Sequence, residues 1–327
     1  MTLDFKPLSQ CVGLSVNGLD LTRPIDRDTQ AALYGAFIEA GVLAFPGAGA
    51  TPEAHLTLSR CFGGLQRHPV KENWVSGYPE LVDISYRPSA GGQSAVALYE
   101  VDGERRGGWL PWHSDLTFMA KINRGGILRA ITTPRTGGRT GFIDQIAIYA
   151  SLPEALKRRI EGLHVVYRLR PDFTHERFGR PKTLKLINNP PSLQSMAARI
   201  DSDFPPVRHP MVYVQPETGR KVLNVSPTSA LGIYEMPDDA GDALLDEVIA
   251  HATHPDHAYF HDWQRDDLVL WDNWRTLHCA EGAPEDCLRE MQRTTIVGDY
   301  DLGAPLSPRD PAVIAMSRRR NRSDAAA

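Results

Sequence analysis

The chain has 327 residues, 42% hydrophobic and 23% charged, with 27 glycines and 25 prolines. That balance describes a loop-rich globular protein and excludes collagen-like, coiled-coil and disordered classes. Thirty-six basic side chains against 40 acidic ones leave a net charge of −4, so no global field draws the chain to nucleic acid or anionic lipid, and any anion must be held locally. The opening MTLDFKPLSQCVGL has no basic stretch followed by an unbroken apolar run, so it does not read as a signal peptide. No apolar run approaches the ~18 residues that a bilayer-spanning helix needs. Cys11, Cys61, Cys279 and Cys287 include no C-x-x-C pair and suggest no disulfide scaffold, which leads us to expect a reducing, cytoplasmic setting.

In chain order, residues 26–41 carry apolar side chains at helical spacing and end on glycine, predicting a helix with a glycine C-cap. Val42–Phe45 reads as a short buried strand. A second helix is expected from Pro52 to Phe62, with Thr51 as N-cap and Pro52 in the first turn. Residues 86–108, rich in Gly, Ser and charge, read as a long loop, expected to be a lid that orders over the site. Strands are expected at 126–130 and 141–143, a helix at 152–161, and a hairpin at 211–225 turning at Pro216-Glu-Thr-Gly219. A helix at 238–252 and strands at 258–263, 268–271 and 291–297 follow. Short strands dominate without regular strand–helix alternation, so the expected fold is mainly β with flanking helices, a double-stranded β-helix (jelly roll). One domain over 1–300 is expected, with a poorly ordered tail over 301–327.

The chain lacks a dinucleotide fingerprint, a P-loop and a nucleophile elbow. Chemistry concentrates instead in Trp109-Leu-Pro-Trp-His-Ser-Asp-Leu116. Histidine and aspartate two apart on an extended strand project from one face, so His113 and Asp115 can grip one ion. A second segment, Asp267 to His278, delivers a strand, a turn and a lone histidine. Two histidines and one carboxylate with other positions open form the facial triad of non-heme Fe(II) oxygenases. Arg289 and Arg293 fall on one face of a predicted strand, and two guanidiniums inside a barrel are costly unless each meets an anion. A competing cluster, His251, His254, His257 and His261, is interrupted by Pro255, so no single helix face presents all four. Cys279, next to His278, is expected to point away as a packed, inert thiol.

On these motifs the chain resembles the taurine/2-oxoglutarate dioxygenase family. The likeness runs from Gly18-Leu-Asp-Leu-Thr-Arg-Pro24, through Arg60-Cys-Phe-Gly-Gly64 and His68-Pro69, to Gly298-Asp299. The resemblance implies that His113, Asp115 and His278 bind Fe(II). It implies that Arg289, eleven residues past the distal histidine, and Thr140 hold 2-oxoglutarate. It further implies dioxygen as the other co-substrate, with succinate and CO2 released as a C–H of the substrate is hydroxylated. The resemblance places His68, Leu116 and Arg293 at the substrate, Arg293 on its anionic group. Lys71 and Trp109 stand at substrate positions where the taurine enzyme has tyrosine and a small polar contact, so a larger, more apolar anion than taurine is favoured. A homo-oligomer is expected by the same analogy. The alternative is a jelly-roll protein that binds small organic acids without turnover.

Overall fold

The computed structural model describes residues 3–67, 74–88, 96–190, 194 and 200–319, with the backbone alone at 201 and 202. Two sheets enclose the interior. The larger runs, in spatial order, through Asp4–Pro7, Leu14–Asn17, Val42–Phe45, Leu268–Asp272, Gly125–Thr132, Glu290–Ile296, Tyr78–Asp83 and Trp74–Val75. The smaller runs through Tyr259–His261, Thr140–Asp144, Thr276–Ala280 and Leu110–His113. Spatial neighbours are distant in sequence: Gly125–Thr132 lies antiparallel between Leu268–Asp272 and Glu290–Ile296. This is the jelly roll expected from the pattern of short strands. Among the described residues no helix is long and apolar enough to cross a membrane.

Helices close the outside. Asp26 accepts the Thr29 N–H at 2.8 Å and starts the helix Arg27–Ala40. Leu33 and Phe37 of that helix join Leu43, Phe45, Ile127 and Leu270 in one apolar cluster. The helix ends at Gly41, whose φ of 71° is left-handed and where a Cβ would lie 2.7 Å from Arg275 Nε. Arg275 is needed there. It donates to the Ile38 and Glu39 carbonyls at 2.8 and 3.2 Å, and it reaches both Asp144 oxygens at 3.1 and 2.5 Å. One buried guanidinium thus satisfies a helix end and fixes the turn before Thr276–Ala280 to the strand Thr140–Asp144. On the opposite side, Leu244, Leu245 and Val248 of the helix Asp239–Ala252 share a cluster with Ile143, Val165 and Leu277.

Two expectations are corrected. Residues 86–108 are not a continuous loop, because Leu98–Val101 and Glu104–Gly107 pair as a hairpin. Its turn residues Asp102 and Gly103 have φ of 52° and 83°, the positive values that an Asp-Gly turn supplies. Residues 89–95 lie outside the described residues. The tail is not frayed up to Arg319. Ala304–Pro305 pairs with Val207–Pro210, and Asp310 caps a helix, Pro311–Arg318, by accepting the Ala312 N–H at 2.9 Å. Val313 and Met316 of this helix pack with Val166 and Leu231. Only two inward positions on so short a helix left little periodic signal. Met316→Ala is expected to cost about 2–5 kcal/mol, the usual range for emptying a buried methionine site. Urea denaturation checks this, and an unchanged midpoint would mean that the terminal helix adds no stability.

Candidate active site

His113 ends the strand Leu110–His113 and lies directly across the antiparallel ladder from His278 in Thr276–Ala280. The Nε2 atoms of both histidines are 3.7 Å from Asp115 Oδ1, and the three donor atoms lie within 4.8 Å of one another. Among the described residues this is the one metal-ligand cluster of its kind. The competing histidines do not form another. His251 Nε2 meets Ser151 Oγ at 3.0 Å, the His251 carbonyl meets His257 Nδ1 at 3.0 Å, and His261 is engaged by Asp267 and Tyr259.

The local chemistry suits a divalent metal. His113 Nδ1 lies 2.8 Å from the Pro111 carbonyl, which can only accept, so Nδ1 carries the proton and Nε2 offers its lone pair. Burial holds both imidazoles below their ordinary pKa, leaving them neutral. Burial also opposes ionisation of Asp115, but the Arg293 guanidinium beside it outweighs that and holds the carboxyl below its usual range. Two neutral imidazoles and one carboxylate are the donor set that Fe(II) takes in facial-triad enzymes. The alternation that suggested the His-x-Asp pair stops short, however. The strand ends at His113, and Asp115 sits in a turn followed by Leu116 at a φ of 57°. Ser114, between the ligands, is buried and donates to the Thr276 carbonyl at 3.0 Å.

A cavity of about 360 Å³ opens onto the triad and is walled by both sheets. Arg289 and Thr140 meet in it. Arg289 Nε donates to the Gly138 carbonyl at 3.0 Å and Nη2 to Thr140 Oγ1 at 3.4 Å. No carboxylate among the described residues pairs with Arg289, and burial pushes its pKa down to about 10. Arg293 has a different environment from the one expected. It forms two hydrogen bonds with Asp115, at 3.2 and 2.5 Å, and lies over the Trp271 ring at 5.0 Å. Arg293 Nε and Trp271 Nε1 are buried donors with no protein partner among the described residues.

Trp109 lines the cavity as one of three rings. Its centroid is 5.7 Å from that of Tyr99 and 6.2 Å from that of Phe173, and all three residues border the cavity. Leu116 is not among the lining residues, because the left-handed turn carries it away from the direction an extended strand would give. His68 and Lys71 lie outside the described residues. Cys279, expected to face away, contributes to the cavity wall, and burial pushes its thiol up to about 12, so it is packed rather than nucleophilic. Sequence reasoning missed Tyr99, Phe173, Ser114 and Asn273. The Asp102-Gly103 pair could have found Tyr99, since it fixes a hairpin register three residues away. The other three carried no local signal.

Two stability tests follow. A buried guanidinium with only neutral acceptors costs folding energy, so Arg289→Met is expected to raise the ligand-free stability by about 1–4 kcal/mol in urea denaturation. Loss of stability instead would show that Arg289 is structurally satisfied. Glu176 accepts the Ser229 N–H at 2.7 Å, and burial pushes its carboxyl up to about 8. The folded state therefore holds this proton above the range where the unfolded chain releases it, and the associated stability is lost as pH rises to about 8. Glu176→Gln is expected to gain on the wild type progressively between pH 5 and about 9. Parallel urea curves at the two pH values would refute the buried protonated carboxyl.

The profile of the family described as "Taurine catabolism dioxygenase TauD, TfdA family" matches residues 4–295. The chain is 31% identical over 263 residues to the alpha-ketoglutarate-dependent 2,4-dichlorophenoxyacetate dioxygenase of Burkholderia sp. (strain RASC), covering 80% of this chain and 82% of that one. It is 29% identical over 306 residues to an alkylsulfatase of Acinetobacter baylyi, covering 92% and 87%. The crystal structure of AAD-2 in complex with Mn(II) and N-oxalylglycine superposes with a TM-score of 0.68 at 27% identity, covering 92% of this chain and all of that one. Sequence, fold and metal-ligand cluster agree, and the chain belongs to the TauD/TfdA family of dioxygenases dependent on Fe(II) and 2-oxoglutarate.

Proposed function

We propose that His113, Asp115 and His278 hold Fe(II), that Arg289 and Thr140 hold 2-oxoglutarate, and that the enzyme hydroxylates an unactivated C–H of a small organic anion with a sizeable apolar body. One observation carries the reading: Arg289, a buried guanidinium with only neutral partners, faces the same cavity as the triad. A carboxylate ligand supplies the missing anion and pairs with the guanidinium through charge-assisted hydrogen bonds. The AAD-2 complex supports this, since N-oxalylglycine differs from 2-oxoglutarate by an NH in place of a CH2. When bound, the metal supplies dioxygen activation coupled to decarboxylation of 2-oxoglutarate to succinate and CO2.

The chain's own residues then position the primary substrate. Arg293 and Trp271 border the cavity, so a carboxylate, sulfonate or sulfate ester lodged there lies beside the guanidinium, while Arg293 keeps its Asp115 contacts. Tyr99, Trp109 and Phe173 give the apolar body a ring-lined wall that also excludes water. The relative named for 2,4-dichlorophenoxyacetate acts on a carboxylate with an aromatic body, which fits such a wall.

The test is succinate formation with Fe(II), ascorbate and 2-oxoglutarate over a panel of aryloxyacetates, alkanesulfonates and alkyl sulfates. Substrate-dependent succinate is expected from the wild type and none above background from Asp115→Ala. Arg289→Ala is expected to raise KM for 2-oxoglutarate by an amount equivalent to about 2–5 kcal/mol. Thermal stabilisation by panel members with no succinate from the wild type would instead establish a binding protein without turnover.

A further inference from the structure

Asp115 stands beyond the end of its strand, so the sheet ladder does not place it. Its backbone is held by a side chain. Asn273 Oδ1 accepts the Asp115 N–H at 2.7 Å, and Asn273 Nδ2 donates to the Asp115 carbonyl at 3.0 Å. The amide thus presents one acceptor and one donor to the same residue, as a neighbouring strand would. Nδ2 also lies 3.0 and 3.2 Å from the Asn123 side-chain and main-chain oxygens, and Asn273 and Asn123 are 1% and 2% exposed. The orientation of the amide is therefore fixed on both sides.

Asn273 itself sits on a rigid mount. It occupies the turn between Leu268–Asp272 and Thr276–Ala280, five residues before His278. Its own N–H donates to the Arg124 carbonyl at 2.9 Å. Thr276 Oγ1 donates to the Asp272 carbonyl at 2.7 Å, and Arg124 pairs with the Asp272 carboxylate at 3.3 Å. The segment that delivers His278 thereby also grips the backbone of Asp115. The next residue, Leu116, is held at a φ of 57°, a left-handed conformation that a leucine does not favour. Such a turn persists only where its surroundings determine it.

We propose that Asn273 is a positioning residue for the metal centre, its amide locking the Asp115 turn so that the carboxylate meets the two histidines. This rests on the reading that the triad holds a metal. The test measures Mn(II) affinity by calorimetry and the visible absorption of the Co(II)-loaded protein, alongside thermal unfolding. Asn273→Ala is expected to weaken Mn(II) binding by about 10–100-fold, the usual effect of removing a group that orients a ligand, and to alter the Co(II) bands. Asn273→Ser, which can keep one of the two bonds, is expected to fall between alanine and wild type, and it carries the test where the alanine chain does not fold. Val248→Ala, a core truncation in the helix Asp239–Ala252, is expected to lower the melting temperature while leaving Mn(II) affinity within about twofold, since it leaves every ligand orienter in place. Asparagine variants with wild-type affinity and an unchanged Co(II) spectrum overturn the inference alone. A wild type that fails to bind Mn(II) overturns the metal reading beneath it.

Discussion

One carboxylate and two guanidiniums share a cavity whose remaining walls are largely apolar, and their unequal pairing shapes the site. Asp115 and Arg293 neutralise each other through two hydrogen bonds. Arg289 is left with a carbonyl and a hydroxyl, which accept from two of its nitrogens without matching its charge. Removing a cation from water without a counter-ion is costly, so the fold carries an imbalance that an anionic ligand corrects. The site can therefore discriminate by charge before any contact with the rest of the ligand is considered.

Holding these groups in register is the work of a few cross-links. The ladder sets His113 against His278, but the ladder alone orders only residues that lie in strands. Ser114 ties the His113 segment to the Thr276 carbonyl, and Arg275 ties the turn at 272–276 to Asp144 and to the end of the helix Arg27–Ala40. The links are buried, and those from Ser114 and from Arg275 to the helix end use a side chain to satisfy backbone carbonyls. The turn at 272–276 is thereby connected to a helix, a strand and two of the three metal-binding candidates.

How much of this could be read in the sequence depended on the range of the interaction concerned. Helix starts and stops were legible because Asp26, Gly41, Thr51 and Pro52 act on their own neighbours. The triad was legible because its residue types are rare in combination and because strand periodicity located two of its members. That argument worked for His113 and was only accidentally useful for Asp115, whose position comes from a turn. The ion pair between Arg293 and Asp115 spans 178 residues, and the amide of Asn273 reaches across 158, so neither leaves a trace in local spacing. The hairpin at 98–107 was obscured by composition: a segment rich in Gly and charge looked like a loop despite its Asp-Gly turn. Tyr99 and Phe173 come together from separate segments, and only the fold makes them one wall with Trp109.

That wall has a consequence for how such an enzyme diversifies. Tyr99 stands on the hairpin 98–107 and Phe173 in the short turn Phe173–His175, both apart from the two sheets that carry the histidines and arginines. Exchanging these rings, or lengthening the segments that bear them, alters the shape of the cavity without touching the strands that carry the histidines and arginines. Descendants of one ancestral barrel can then part company in diet while sharing an oxidant. The turn at 272–276 enjoys no such freedom, because a drift there would displace several parts of the reaction centre together.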